Sequence, residues 1–184
     1  MDNVAILDRD NYVANDYRHI YERINLLADY RPKNSKKDII LGLIVDLITK
    51  ELGLRKDKLT LKNHSIEFRL QIPQSELVIL ITHTDVDNMI SIVAIIPSIY
   101  NEEYTRDLAD QITQCNSSSK IVPLGRILMK RTIGLICMEN QFICKSEEDF
   151  SQEEFMTYFS ATVVSAGRLY PRISEYLLKE GEPQ

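Results

Sequence analysis

Residues 65–96 read SIEFRLQIPQSELVILITHTDVDNMISIVAII, and the change in apolar spacing along this stretch decides the fold. Over Ser65–Ile72 the pattern alternates, with Ile66, Phe68, Leu70 and Ile72 on one side and Glu67, Arg69 and Gln71 on the other. Successive side chains of a strand point to opposite faces, so the alternation predicts a strand buried on one face and wet on the other. The runs ELVILITH (76–83) and MISIVAII (89–96) are continuously apolar and rich in β-branched residues. Bounded by Pro73-Gln74-Ser75, by residues 85–88 and by Pro97, they predict strands covered on both faces or central in a sheet. Short polar turns between three consecutive strands make an antiparallel meander.

Upstream, apolar residues at Val13, Tyr17, Ile20, Tyr21, Ile24, Leu27 and Ala28 fall at the three-and-four spacing of a helix over residues 12–30. RPKNS (31–35) breaks it, and Ser35 with Asp38 offers cap and dipole chemistry for a second helix. Along that helix Ile39, Ile40, Leu43, Ile44, Leu47, Ile48 and Leu52 form a stripe wide enough for both sides to meet protein, and Gly53 suits a left-handed C-terminal end.

Downstream, Asn101 with Glu102 and Glu103 opens a helix that buries Tyr104, Leu108, Ile112 and Cys115. Asn116 tolerates positive φ and ends it, the serines at 117–119 form a link, and KIVPLGRILMK (120–130) and TIGLICMENQFIC (132–144) return as strands. Pro123 puts the first of these at an edge or bulge, because proline cannot donate to a ladder. A capping box, Ser151 to Glu154, starts a closing helix through Phe155, Phe159, Ala166 and Leu169, with a kink expected at Pro171.

The sum is an α+β class: a five-stranded antiparallel sheet with helices packed on it, in the order α-α-β-β-β-α-β-β-α. One domain is expected over residues 1–184, with 1–34 as an N-terminal extension, 35–179 as the core and 180–184 as a tail.

The 184 residues are 44% apolar and carry 22 basic against 27 acidic side chains, for a net charge of −5. Charges of both signs are dispersed, which argues against nucleic acid as a partner. Cys115, Cys137 and Cys144 are an odd set without a CxxC pair, pointing to neither a disulfide framework nor zinc and to a cytoplasmic setting. MDNVAILDRD at the start lacks the basic, apolar pattern of a signal peptide, and no apolar run is long enough to insert in a membrane.

This element order resembles that of the YbjN-like domains and the class I chaperones of type III secretion, over about residues 36–179. The local features that carry it are a helix ending in Asn (DLADQITQCN, 107–116), a strand pair, and a capped helix with an aromatic-Pro step (SAGRLYPRI, 165–173). Pro123 with Gly125, KRT at 130–132 and the N-terminal helix depart from it. The resemblance implies a non-enzymatic, chaperone-like protein that dimerises with itself and holds a partner segment against an apolar groove or sheet edge.

A search for chemistry gives little. In an extended segment His83, Asp85 and Asp87 project to one side and could ligate a metal, but Asp and Asn at a hairpin commonly satisfy local backbone. Cys137 and Cys144 lie seven apart, on opposite faces of one strand, and all three thiols suit buried structural roles. His19 and His64 have no evident partner in sequence, and the paired acids at 102–103, 147–149 and 153–154 sit at helix starts. No Walker, GxGxxG, GxSxG or HExxH pattern occurs. No catalytic residue, metal or cofactor is therefore assigned. The partner-binding residues expected are Tyr12, Val13, Tyr17, Ile20 and Tyr21 of the N-terminal helix with Leu108 and Ile112. The alternative is a small-molecule or metal-ion sensor anchored by His83 and Asp85.

Overall fold

The computed structural model describes residues 39–180 apart from 63, 74, 85–87, 100–104 and 131–134. The helix expected over 12–30, the cap at Ser35, the cap at Asn101 and the tail lie outside the described residues.

Helix α1 (Ile39–Glu51) ends at Gly53, whose φ of 63° is the left-handed conformation anticipated for it. A 3-10 turn at Lys56–Lys58 leads to β1 (Thr60–Lys62), β2 (Ser65–Ile72), β3 (Ser75–Thr84) and β4 (Met89–Ile99). Helix α2 (Thr105–Asn116), β5 (Arg126–Lys130), β6 (Leu135–Ile143) and α3 (Gln152–Glu180) complete the order. The strands form one antiparallel sheet in the order β1-β2-β3-β4-β6-β5, with six strands where the sequence predicted five. The extra strand is the short β1, whose single apolar residue, Leu61, faces water. The meander is as read, while Pro97 does not end β4: the ladder to β6 shifts register between Ile96 and Ile99 instead.

Register fixes two faces. Ile66, Phe68, Ile79, Ile81, Ile92, Ala94, Ile136 and Met138 share the near face, and residues of all three helices join the same apolar core. There Phe155 and Phe159 of α3 lie 6.0 Å apart, and Phe159 lies 6.3 Å from Phe68 of β2. Asn140 of β6 donates its Nδ2 to Thr162 Oγ1 at 2.8 Å, and Thr162 donates in turn to the Tyr158 carbonyl at 2.8 Å. This buried relay ties α3 to the sheet at Thr162. Ser151 caps the helix as expected, with Glu154 N–H donating to Ser151 Oγ at 3.2 Å. Helix α3 continues through Pro171 to Glu180.

Two expectations on α1 change. Ile39 is 61% exposed and Leu43 is also exposed, while Leu41 and Val45 are buried in their place. The buried stripe is thus narrower than the apolar stripe.

The passage from α2 to the sheet also differs. Asn88 is the one non-glycine residue with positive φ among the described residues, so Asn116 ends α2 without adopting it. Strand β5 starts at Arg126, and Ile121 and Val122 instead plug the core from a series of turns hydrogen-bonded to Ser118. Gly125 has φ of 81°, and a Cβ there would collide with the Glu139 carbonyl and the Asn140 side chain. Only glycine fits that corner. Asn116 Oδ1 accepts from the Ile127 N–H at 2.7 Å while its Nδ2 donates to the Ile127 carbonyl at 3.1 Å. One side-chain amide thus occupies both backbone groups of a residue on the edge strand.

Candidate functional site

The far face of the sheet is the unusual surface. Its rows, set by the ladders, are Arg69-Val78-Ile95-Cys137-Leu128 and Glu67-Leu80-Val93-Glu139-Arg126. Val78, Leu80, Ile95, Leu135 and Cys137 form a second apolar cluster, separate from the helix-covered core, with Val93 packed against it. Ile95 is only 1% exposed. Yet among the described residues no helix packs on this face. Burying a Val, Leu or Ile side chain is worth about 1.5–3 kcal/mol, so stripping the cover from Val78, Leu80, Ile95 and Leu135 would cost on the order of 6–12 kcal/mol, an upper estimate. That is comparable to the whole stability of an ordinary domain. The strip must be covered in any stable state.

Carboxylates flank the strip. Glu139 on β6 receives Arg126 Nη2 at 3.1 Å, Ser91 Oγ at 3.2 Å and Gln141 Nε2 at 3.1 Å, so its charge is well compensated. Glu67 on β2 was expected in water but is 2% exposed. Among the described residues its oxygens have no partner within hydrogen-bond distance, Lys62 Nζ pairs with it at 3.6 Å, and burial pushes its carboxyl above the ordinary range against the opposing pull of Lys62 and Arg69. The Thr82 hydroxyl, buried on the same margin, also has no hydrogen-bond partner among the described residues.

On the helix side, Leu108 and Ile112 are buried in the domain's own core and line a small cleft with Cys115, Leu169, Arg172 and Ile173. Its volume of about 50 Å³ holds a side-chain tip. Metabolite sites are roughly 300–1,000 Å³. The structure therefore brings Leu108 and Ile112 together, while Tyr12, Val13, Tyr17, Ile20 and Tyr21 lie outside the described residues.

The remaining candidates are accounted for by local bonding. His83 is turned into the core, with Nε2 3.3 Å from the Cys144 carbonyl, and its backbone N–H donates to the His64 backbone carbonyl at 3.3 Å. Asp85 and Asp87 lie outside the described residues, and no group of three metal-ligating side chains occurs among the described ones. All three cysteines are buried and reduced, with Cys137 in the far cluster and Cys144 in the near core, the opposite faces expected of them. Burial raises the Cys115 thiol despite the nearby Arg172, the reverse of what a nucleophile needs. The expectation that β3 and β4 are covered on both faces or central in the sheet holds, since Val78, Leu80 and Ile95 are buried as well as the near-face residues; what the sequence did not show is that the far-face residues form a cluster separate from the helix-covered core.

The sequence matches no family model and no curated protein. Among solved structures, the chain is similar to one from the crystal structure of the ExsC–ExsE complex, at 11% identity and a TM-score of 0.49, covering 71% of this chain and 92% of that one. Among the described residues no helix is long and apolar enough to cross a membrane.

Proposed function

We propose that this protein is a non-enzymatic protein-binding module, chaperone-like or regulatory, that works as a homodimer in the cytoplasm and holds a segment of a partner protein. The observation that carries the reading is the far-face strip. A sheet needs one apolar face to build a domain with its helices, and this one has a second, bounded on two sides by carboxylates. The element order behind the chaperone resemblance is also the observed one, apart from β1. The apolar stripe of residues 12–30, with Tyr12, Val13, Tyr17, Ile20 and Tyr21, is the partner-facing element in this reading.

The test is mass and company. Light scattering of the full chain at tens of micromolar is expected to give twice the chain mass, and a partner captured from the native cell is expected to be lost with Tyr17→Ala and Tyr21→Ala together. A monomer that retains no protein would overturn the reading.

A further inference from the structure

We propose that the cleft between α2 and α3 is a docking point for an acidic segment of a partner protein, with one aliphatic side chain of that segment on the cleft floor and its carboxylates on an arginine rim. As a site for protein it rests on the binding role proposed above, which it makes specific.

Helical spacing builds the floor. Leu108, Ile112 and Cys115 fall at intervals of four and three along α2, Leu169 and Ile173 are four apart along α3, and all five are buried and line the cleft. The cavity of about 50 Å³ takes the tip of a leucine or isoleucine and is too small for a metabolite. An aliphatic tip seated there removes its own surface and the apolar wall from water.

The rim is cationic. Arg168 and Arg172 each precede a floor residue by one position, so each stands roughly 100° around α3 from that residue, and the two share one flank. Arg168 is held by its Nη1, which donates to the Lys120 carbonyl at 2.8 Å. Arg172 is exposed and has no ion pair among the described residues, and its charge is felt inside the cleft, where it opposes the effect of burial on the Cys115 thiol. Asp110 is two residues from both Leu108 and Ile112, on the side of α2 turned away from the cleft. A guanidinium fork matches a carboxylate in shape as well as charge. In a chain of net charge −5, an acidic segment is disfavoured by the molecule as a whole and favoured at this rim, which fixes where it docks.

The probe is a fluorescein-labelled peptide with one leucine between two pairs of glutamates, titrated by anisotropy into the full chain. It is expected to bind at least about fivefold tighter than the same peptide with lysines in place of the glutamates, and at least about tenfold tighter than the version with alanine in place of the leucine. Arg172→Glu, at an exposed position whose change leaves the core intact, is expected to abolish or invert the charge preference and to spare the leucine preference. A photoreactive leucine at the anchor position is expected to label residues 108–115 and 169–173. Equal binding of the two charge forms, a preference that Arg172→Glu does not move, or label elsewhere overturns the proposal. So does inorganic phosphate that competes equally against the leucine and alanine peptides, the mark of a simple anion site.

Capture from the native cell separates this site from the binding role. A partner held equally by the parent and by Arg172→Glu overturns the cleft and leaves the role standing. A peptide seated as expected in a protein that captures no partner sustains the cleft and sinks the role.

Discussion

Asn116 shows what one side chain can do at a sheet margin. Its amide imitates a neighbouring strand at Ile127, accepting from the N–H and donating to the carbonyl, so the helix that ends at Asn116 also closes part of the β5 edge. Replacing it with alanine strands two backbone groups and is expected to cost about 1–3 kcal/mol, read as a lower urea midpoint. Asn116→Asp keeps the acceptor and should fall between the two. The same variants should scatter more light with rising concentration, because an uncapped edge recruits other chains. The sequence marked Asn116 as a helix end but attached the wrong reason, since the left-handed turn occurs at Asn88. Spacing shows where a helix stops; it cannot show which distant backbone its last side chain reaches.

At the scale of the element, β2 carries the clearest lesson about legibility. Alternation placed Ile66, Phe68 and Ile72 on the core side, as observed, because strand geometry alone dictates it. It also placed Glu67 in water, which failed because the exposure of the second face depends on what crosses it. The α1 stripe erred in the other direction, with Ile39 and Leu43 exposed. The buried carboxylate gives a pH prediction. Unfolded, Glu67 titrates near 4.3; folded, burial raises it. The folded state therefore holds its proton longer, and stability present below the unfolded value is lost as pH climbs through the folded one. Glu67→Gln removes that slope. Urea denaturation of the two proteins should show the variant gaining on the parent steadily from pH 4 to pH 7; a constant difference would mean the carboxyl is not desolvated.

For the whole molecule, the strand order matters as much as the faces. Strand β6, late in the chain, lies between β4 and β5, and its ladder to β4 runs from Met89–Ile143 to Ile99–Leu135. The meander β2-β3-β4 is local, whereas that ladder closes only after α2 and β5 have been traversed. During synthesis, then, the isoleucine-rich margin of β4 waits unpaired while the ribosome adds the forty-odd residues that separate it from the end of its mate, an order-of-magnitude interval of seconds at about 5–20 residues per second. Refolding yields from denaturant should accordingly fall as protein concentration rises. A chain whose central seam is sewn last has its most adhesive moment before it is finished.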